Sequence, residues 1–225
     1  TEFEIDEAKA IVDSGIPMPR RDEDSHDILG TFKVLSNRAE MMKTPTSPKE
    51  LFSILSHRHS ILLEGRPHMN PGIFKTKNNR AGMTEFVDYQ LVKGTLSQGF
   101  KYYAALTDPF ARAIFMMFMI SEVHPFNDGN GRVARVMMNA EFVRADQSRI
   151  IVPTVFREDY ILALRKLTQH KDPLAYINVM TKLHQFSDNL YGTDFTELKN
   201  YLATCNAYEE PSQAKLQIID RTIIE

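Results

Sequence analysis

The sequence predicts a mainly α-helical protein with one small β-hairpin, and three observations carry that expectation. Two segments place a proline just after a capping residue, at Ser47-Pro48 and at Asp108-Pro109, which is a common way to start a helix. Long stretches then repeat apolar residues at helical spacing. Between them, residues 67–87 lose that period and carry Phe74, Phe86 and Val87 around the turn-forming NNRAG, the mark of a short, irregular hairpin.

Taken in order, residues 1–24 include GIPMPRRDED, rich in proline and alternating charge, and are expected as an arm on the surface. A helix is expected from about Asp27 to Met42, with Ile28, Leu29, Phe32, Leu35 and Ala39 near one face. KTPTSP (43–48) breaks the chain. The next helix should cover 48–64, with Ser47 as cap, Pro48 at its first position and Glu50 closing a capping box. Gly65 is expected in the left-handed position after its last turn. Helices resume near Asp88. The run DPFARAIFMMFMISEV (108–123) is apolar almost all round, as a central core helix is. It should stop at Val123, because His124 precedes Pro125 and is biased away from helical angles. A second core helix is expected from about Gly131 to Arg144, with others near 157–169, 172–190 and 195–208. The domains expected are an arm and helix (1–46), a core domain (47–190) and a C-terminal helical extension (191–225).

With 225 residues the chain can bury a real core. Its net charge of −2 and pI near 6.4 argue against nucleic acid and against an anionic membrane as partners. The end of the chain, YLATCNAYEEPSQAKLQIIDRTIIE, is too short and too acidic at its centre for a DNA-binding appendage. A lone Cys205 forms no internal disulfide; it is expected as an inert, half-buried thiol and suits a reducing compartment. No run reaches the roughly 18 apolar residues of a membrane span, and no signal peptide opens the chain at Thr1. A soluble, cytoplasmic protein is expected. His57 and His59, two apart on a helix, face nearly opposite sides and cannot share a metal. With His68 they are expected as surface or capping groups.

The chemistry concentrates in HPFNDGNGRVAR, residues 124–135. Gly129, Asn130 and Gly131 present backbone N–H groups at a helix N-terminus, where orphan donors and the helix dipole favour an anion. Arg132 and Arg135 lie three apart on that helix, so both guanidinium groups serve one face, which Asn139 continues. Such a pair fits a polyphosphate. Asp128 beside the cradle would repel phosphate directly but can hold Mg²⁺ bridging its oxygens. His124 has the pKa range to take a proton from an attacking hydroxyl. Phe126 is expected as an anchor of the loop. Each residue alone has an ordinary structural explanation; in this order, on one helix-to-helix junction, they read as a phosphate-directed transferase.

The same stretch satisfies all nine specified positions of H-P-F-x-D/E-G-N-G-R-x-x-R, and so resembles the signature of the Fic family. The resemblance extends over PGIFKTKNNRAG, TEFV and RIIVPTVFREDYILAL, from roughly Leu51 to Met180. It implies a Fic-type helical bundle with a hairpin flap beside the active-site loop. It implies transfer of AMP from ATP, with Mg²⁺, to a Tyr, Thr or Ser hydroxyl of a target protein. His124 would be the general base and Asp128 the metal ligand. Phe126, Asn127, Asp128, Gly129, Asn130, Gly131, Arg132 and Arg135 would form the nucleotide site, with Tyr160 as a wall of the adenine pocket. Thr84, Glu85, Phe86 and Val87 would clamp the target segment by strand addition. Gly131 separates the chain from the Doc-like kinases, which carry lysine there. Phosphocholine transfer, AMP removal and a silent nucleotide-binding module stay open as alternatives.

One further pattern follows from the resemblance. SILLEG (60–65) fits the family's inhibitory helix, S/T-x-x-x-E-G/N, and would pair Glu64 with Arg135. Against this, Gly65 already serves as a helix cap, and the match falls only nine residues before Phe74, inside what reads as a core helix. Without that switch, inhibition would come from a partner protein, from a further segment or not at all. A homodimer stays open as well.

Overall fold

The computed structural model describes residues 3–82 and 84–221. The described residues form ten α-helices and one two-stranded sheet, the mainly helical class with a small hairpin that the sequence predicts. The chain folds as two compact units, Thr1–Asp146 and Gln147–Glu225.

The first unit holds α1 (Ile5–Ser14), α2 (Asp22–Ser36), α3 (Arg38–Met41), α4 (Pro48–Leu62), a hairpin of β1 (Arg80–Ala81) and β2 (Thr84–Glu85), α5 (Val92–Ala105), α6 (Pro109–Val123) and α7 (Asn130–Arg144). Its centre is the packing of α6 on α7. Met116, Met117 and Ile120 from one helix and Val133, Ala134, Met137 and Met138 from the other are almost wholly withdrawn from water. The two main caps are where the sequence puts them. Asp108 accepts the Ala111 N–H at 2.8 Å, and Ser47 accepts the Glu50 N–H at 3.2 Å.

Several local expectations are corrected. The supposed arm contains α1, closed by a reciprocal pair between Glu4 and Glu7 and by Gly15 at φ 66°. α2 begins at Asp22 rather than near Asp27, because Asp22, Glu23 and Asp24 fill a first turn where the helix dipole favours acids. It stops at Ser36, and Asn37 caps a separate short helix by accepting the Glu40 N–H at 3.0 Å. The Glu50 carboxylate does not return to Ser47; it accepts the Thr46 N–H at 2.8 Å and the Thr46 hydroxyl at 2.6 Å. The hairpin turns at the end of NNRAG, at Gly82, with Ala81 opposite Thr84 and Arg80 opposite Glu85. Phe74 lies outside both strands and packs against Phe52 and Phe126 instead.

Gly65 is not a left-handed cap, since α4 already ends at Leu62. Its missing side chain serves a close approach: a Cβ there would lie 2.3 Å from Cβ of His26 on α2. Gly30 of α2 does the same at the other contact, where a Cβ would lie 2.4 Å from the Ile61 carbonyl oxygen. α2 therefore rests on the end of α4 at backbone distance. Beneath it, the wholly buried Arg58 donates to the Glu40 carboxylate at 3.2 Å and to the carbonyls of Glu40 and Lys43 at 2.7 and 2.8 Å. This supplies the partners that a buried cation requires.

The second unit contains α8 (Arg157–His170), α9 (Pro173–Asp188) and α10 (Phe195–Thr204). α8 packs on α9, and Ser187 accepts the Ile151 N–H at 3.0 Å. Cys205 is fully buried rather than half-buried. No helix among the described residues is long and apolar enough to cross a membrane.

The glycine contact gives a direct expectation. Gly30→Ala should destabilise the protein by roughly 1–3 kcal/mol, since the Ile61 backbone cannot yield as a flexible side chain would. Urea or guanidinium denaturation reads the change, and an unaltered midpoint would mean that α2 lifts off α4 without cost.

Candidate active site

His124 closes α6. Its N–H donates to the Ile120 carbonyl at 2.9 Å, and its backbone is left-handed, with φ 49° and ψ 59°. That region is sparsely used by residues other than glycine. Its Nδ1 lies 3.1 Å from the Ser121 carbonyl oxygen. Only a ring N–H can face a carbonyl this way, so a neutral imidazole carries its hydrogen on Nδ1 and its lone pair on Nε2. Burial holds the His124 pKa below its ordinary value; the Lys75 charge acts in the same direction, while the Ser121 bond and Asp128 oppose it. Near neutral pH the ring is a free base.

α7 then opens as an anion cradle. Gly129 precedes it at φ 71°, and a Cβ there would lie 2.5 Å from the Leu63 side chain. The first bond of the helix runs from the Val133 N–H to the Gly129 carbonyl at 3.0 Å, so the N–H groups ahead of it lie where helices leave donors unspent. Arg135 reaches back toward them: a Cβ on Gly131 would lie 3.5 Å from an Arg135 guanidinium nitrogen. Arg132 and Arg135 together line a cavity of about 390 Å³, walled on its other side by Asp27, Ile28, Phe32 and Leu35 of α2. The expectation that the two guanidinium groups share one face agrees with this arrangement.

Two other signature residues, Asn130 and Phe126, point inward. Asn130 is buried; its oxygen accepts the Phe126 N–H and its amide donates to the Phe126 carbonyl, both at 2.9 Å. Its side chain thus braces the loop. Phe126 is fully buried, stacked on His59 at 3.7 Å and 4°. Asn127 is exposed, with its amide 3.4 Å from the Met69 carbonyl. Asn139, one turn further along α7, is buried. Asp128 turns one oxygen to the Gly129 N–H at 2.7 Å and keeps the other 3.6 Å from Arg132. This carboxylate is partly exposed beside the cradle, and a Mg²⁺ ion carried on substrate phosphates needs few protein ligands. The residues present therefore fit such an ion. Among the described residues no group of three His, Cys, Asp or Glu side chains could hold a metal by itself.

The flap meets the base. The Phe86 ring lies parallel to the His124 ring, 3.6 Å and 5° apart. Thr84 and Glu85 form β2, Glu85 is exposed, and Thr84 and Val87 are half-buried. Two expected residues belong to other elements. Tyr160 belongs to the second unit, where it is buried in α8 and its proximity adds to the burial that raises the Tyr176 pKa. Glu64 is exposed in the turn after α4 and pairs with Lys33 of α2 at 3.6 Å.

Two contributors were missed in the sequence. His59 is wholly buried, not a surface group. Its Nδ1 accepts the Gly72 N–H and its Nε2 faces the Asp128 carbonyl, each at 2.9 Å, so it fixes the loop behind Asp128. No local pattern in the sequence marks it, since its partners lie far along the chain. Asp27 lies 2.6 Å from Arg132, an ion pair outside hydrogen-bonding alignment. It also accepts from Arg66 at 3.0 and 3.2 Å.

Burial is the largest influence on the His59 pKa and holds it below 6.5, with Arg132 acting the same way. A histidine whose folded pKa is depressed contributes stability above its unfolded pKa and loses it as pH falls. Stability should therefore decline on going from about pH 7.5 to about pH 5.5, and less steeply in His59→Leu. That variant should also lose about 2–4 kcal/mol at the higher pH, having stranded the Gly72 N–H and the Asp128 carbonyl. Denaturant midpoints at both pH values check this.

Comparison with known proteins bears on the family and the fold. A profile of the Fic/DOC family matches residues 51–141, which include the loop, the flap and His59. Protein adenylyltransferase fic-1 of Caenorhabditis elegans is 28% identical over 110 residues, 48% of this chain and 22% of that protein. Protein adenylyltransferase Fic of Nematostella vectensis is 31% identical over 83 residues, 37% of this chain and 19% of that protein. The chain thus spans less than a quarter of the length of either relative. Among solved structures, C. elegans Fic-1 superimposes with a TM-score of 0.69 at 18% identity, covering 91% of this chain and 59% of that one. A Fic domain-containing signaling protein of Bacteroides thetaiotaomicron gives 0.67 at 15% identity, covering 81% and 76%. With the fold, the loop and the sequence match in agreement, residues 51–141 are a Fic domain of the Fic/DOC family.

Proposed function

We propose that the chain is a protein adenylyltransferase, using Mg·ATP and a Tyr, Thr or Ser hydroxyl of a target protein. The observation that carries this reading is the His124 ring. Its Nδ1 is committed to the Ser121 carbonyl, which leaves Nε2 as the basic nitrogen, on the loop that leads into the α7 cradle. In the reaction, the target hydroxyl gives its proton to Nε2 and its oxygen attacks the α-phosphorus. The bond from that phosphorus to the α–β bridging oxygen breaks, and pyrophosphate leaves. Arg132, Arg135 and the first-turn N–H groups of α7 hold the phosphate oxygens and the leaving pyrophosphate. Asp128 would hold Mg²⁺, which neutralises phosphate charge and orients the bond that breaks. The hairpin holds the target segment beside His124. That relatives of this chain are named protein adenylyltransferases supports AMP over other groups.

Intact-mass spectrometry after incubation with Mg·ATP, alone and in cell lysate, tests the reading. The wild type should add one AMP to itself or to a lysate protein. His124→Asn should slow this by about 10²-fold or more, the typical contribution of a general base, and Asp128→Ala should remove its dependence on Mg²⁺ along with most of the rate. Transfer of phosphocholine from cytidine-diphosphate-choline, with none of AMP, would overturn the donor assignment.

A further inference from the structure

A set of hydrogen bonds joins the root of the flap to the loop that bears the base, and no step of the proposed reaction uses it. The Lys75 N–H donates to the Pro125 carbonyl at 2.8 Å. The Lys75 ammonium donates to the Val123 carbonyl at 3.4 Å and to the Asn79 side-chain oxygen at 2.7 Å. The Asn79 amide donates to the Phe126 carbonyl at 2.9 Å and reaches the His124 carbonyl at 3.4 Å. Four successive carbonyls, from Val123 to Phe126, thus accept from two residues of the flap root. On the other side of the hairpin, the Asn79 carbonyl accepts the Phe86 N–H at 3.3 Å, and the Phe86 ring lies against His124.

α6 ends at Val123, and the carbonyls at a helix end need partners from elsewhere. Here those partners come from the element that would hold the target. Lys75 is almost fully buried, and a buried ammonium is retained only where acceptors surround it. Asn79 touches all three parts: the Lys75 ammonium, the carbonyls flanking the base, and the backbone of Phe86.

We propose that Asn79 is a positioning residue that couples the flap to the base, keeping Phe86 stacked on His124 so that Nε2 faces the segment the flap holds. The proposal rests on the reading above, in which His124 is the base and the hairpin clamps the target. Asn79 touches no reacting atom. It acts by preventing the hairpin from sliding relative to the loop, a displacement of about 1 Å being enough to cost orders of magnitude in rate.

The test combines nuclear magnetic resonance of histidine-labelled full chain with steady-state transfer kinetics, in the wild type, Asn79→Ala, Asn79→Asp and Phe86→Leu. Asn79→Asp keeps an oxygen for Lys75 but replaces the donor to Phe126 and His124 with an acceptor, and it keeps the experiment decisive should Asn79→Ala fail to fold. Stacked as it is, the Phe86 ring should shift the His124 ring protons upfield in the wild type. That shift should vanish in all three variants. In both Asn79 variants kcat should fall by about tenfold or more while the KM for ATP stays within about twofold, the pattern of a lost transition-state arrangement. An upfield shift that survives in the Asn79 variants overturns the proposal. So does a loss of kcat and ATP affinity in step with melting temperature, which a merely structural tie would give. If the wild type transfers no AMP, the reading of the reaction falls, and the resonance shifts still decide whether Asn79 holds Phe86 on His124.

Discussion

A loop that offers its backbone N–H groups to an anion cannot spend those groups on itself. Every other polar atom in the loop must then be satisfied by something rigid, because buried backbone groups left unpaired are costly. In this protein five carbonyls of residues 123–128 are held from behind, four of them by side chains and that of Pro125 by the Lys75 N–H. Asn130 takes both polar atoms of Phe126, His59 takes the Asp128 carbonyl, and the flap root takes the carbonyls between Val123 and Phe126. The arrangement of α4, the hairpin and the α6–α7 pair follows from the need to bring those side chains to one short segment.

Charge is handled by the same logic. Arg132 stands near the cradle, with Asp27 2.6 Å away and Asp128 3.6 Å away. Arg66 gathers Glu23, Asp24 and Asp27 on α2, which holds that helix beside the arginine as firmly as the glycine contacts hold it to α4. The Glu23 and Asp24 carboxylates are half-exposed and screened by solvent, so the weight of the network falls on Asp27, the more buried partner that both arginines share.

What could be read from the chain was what depends on near neighbours. The starts of α4 and α6 are set by a cap and a proline side by side, and the signature compresses base, cradle and arginines into twelve residues. The supporting shell was illegible for the opposite reason. His59 meets Asp128 across 69 positions and Asn79 meets Phe126 across 47, and no local period marks either. In the sequence His59 resembles a surface group, because a lone histidine on a helix carries no sign of what faces it. Gly65 misled in another way: a glycine after a helix suggests a left-handed cap, and only the position of His26 reveals that space, rather than backbone angle, is what the residue supplies. The boundary of α2 was misplaced because alternating charge resembles a solvated arm until the acids are seen to sit in a first turn.

The left-handed backbone at His124 reaches beyond this one chain. Among residues with a side chain, asparagine, aspartate and histidine occupy that region with least strain, and glycine enters it freely. A descendant that lost the chemistry by drift would therefore tolerate few replacements for its histidine without also distorting the junction between α6 and α7. Retired copies of such a site should carry Asn, Asp or Gly in that place far more often than Ala or Val. The shape of the loop would then outlast its activity, and the residue at this position would record which copies have lost it.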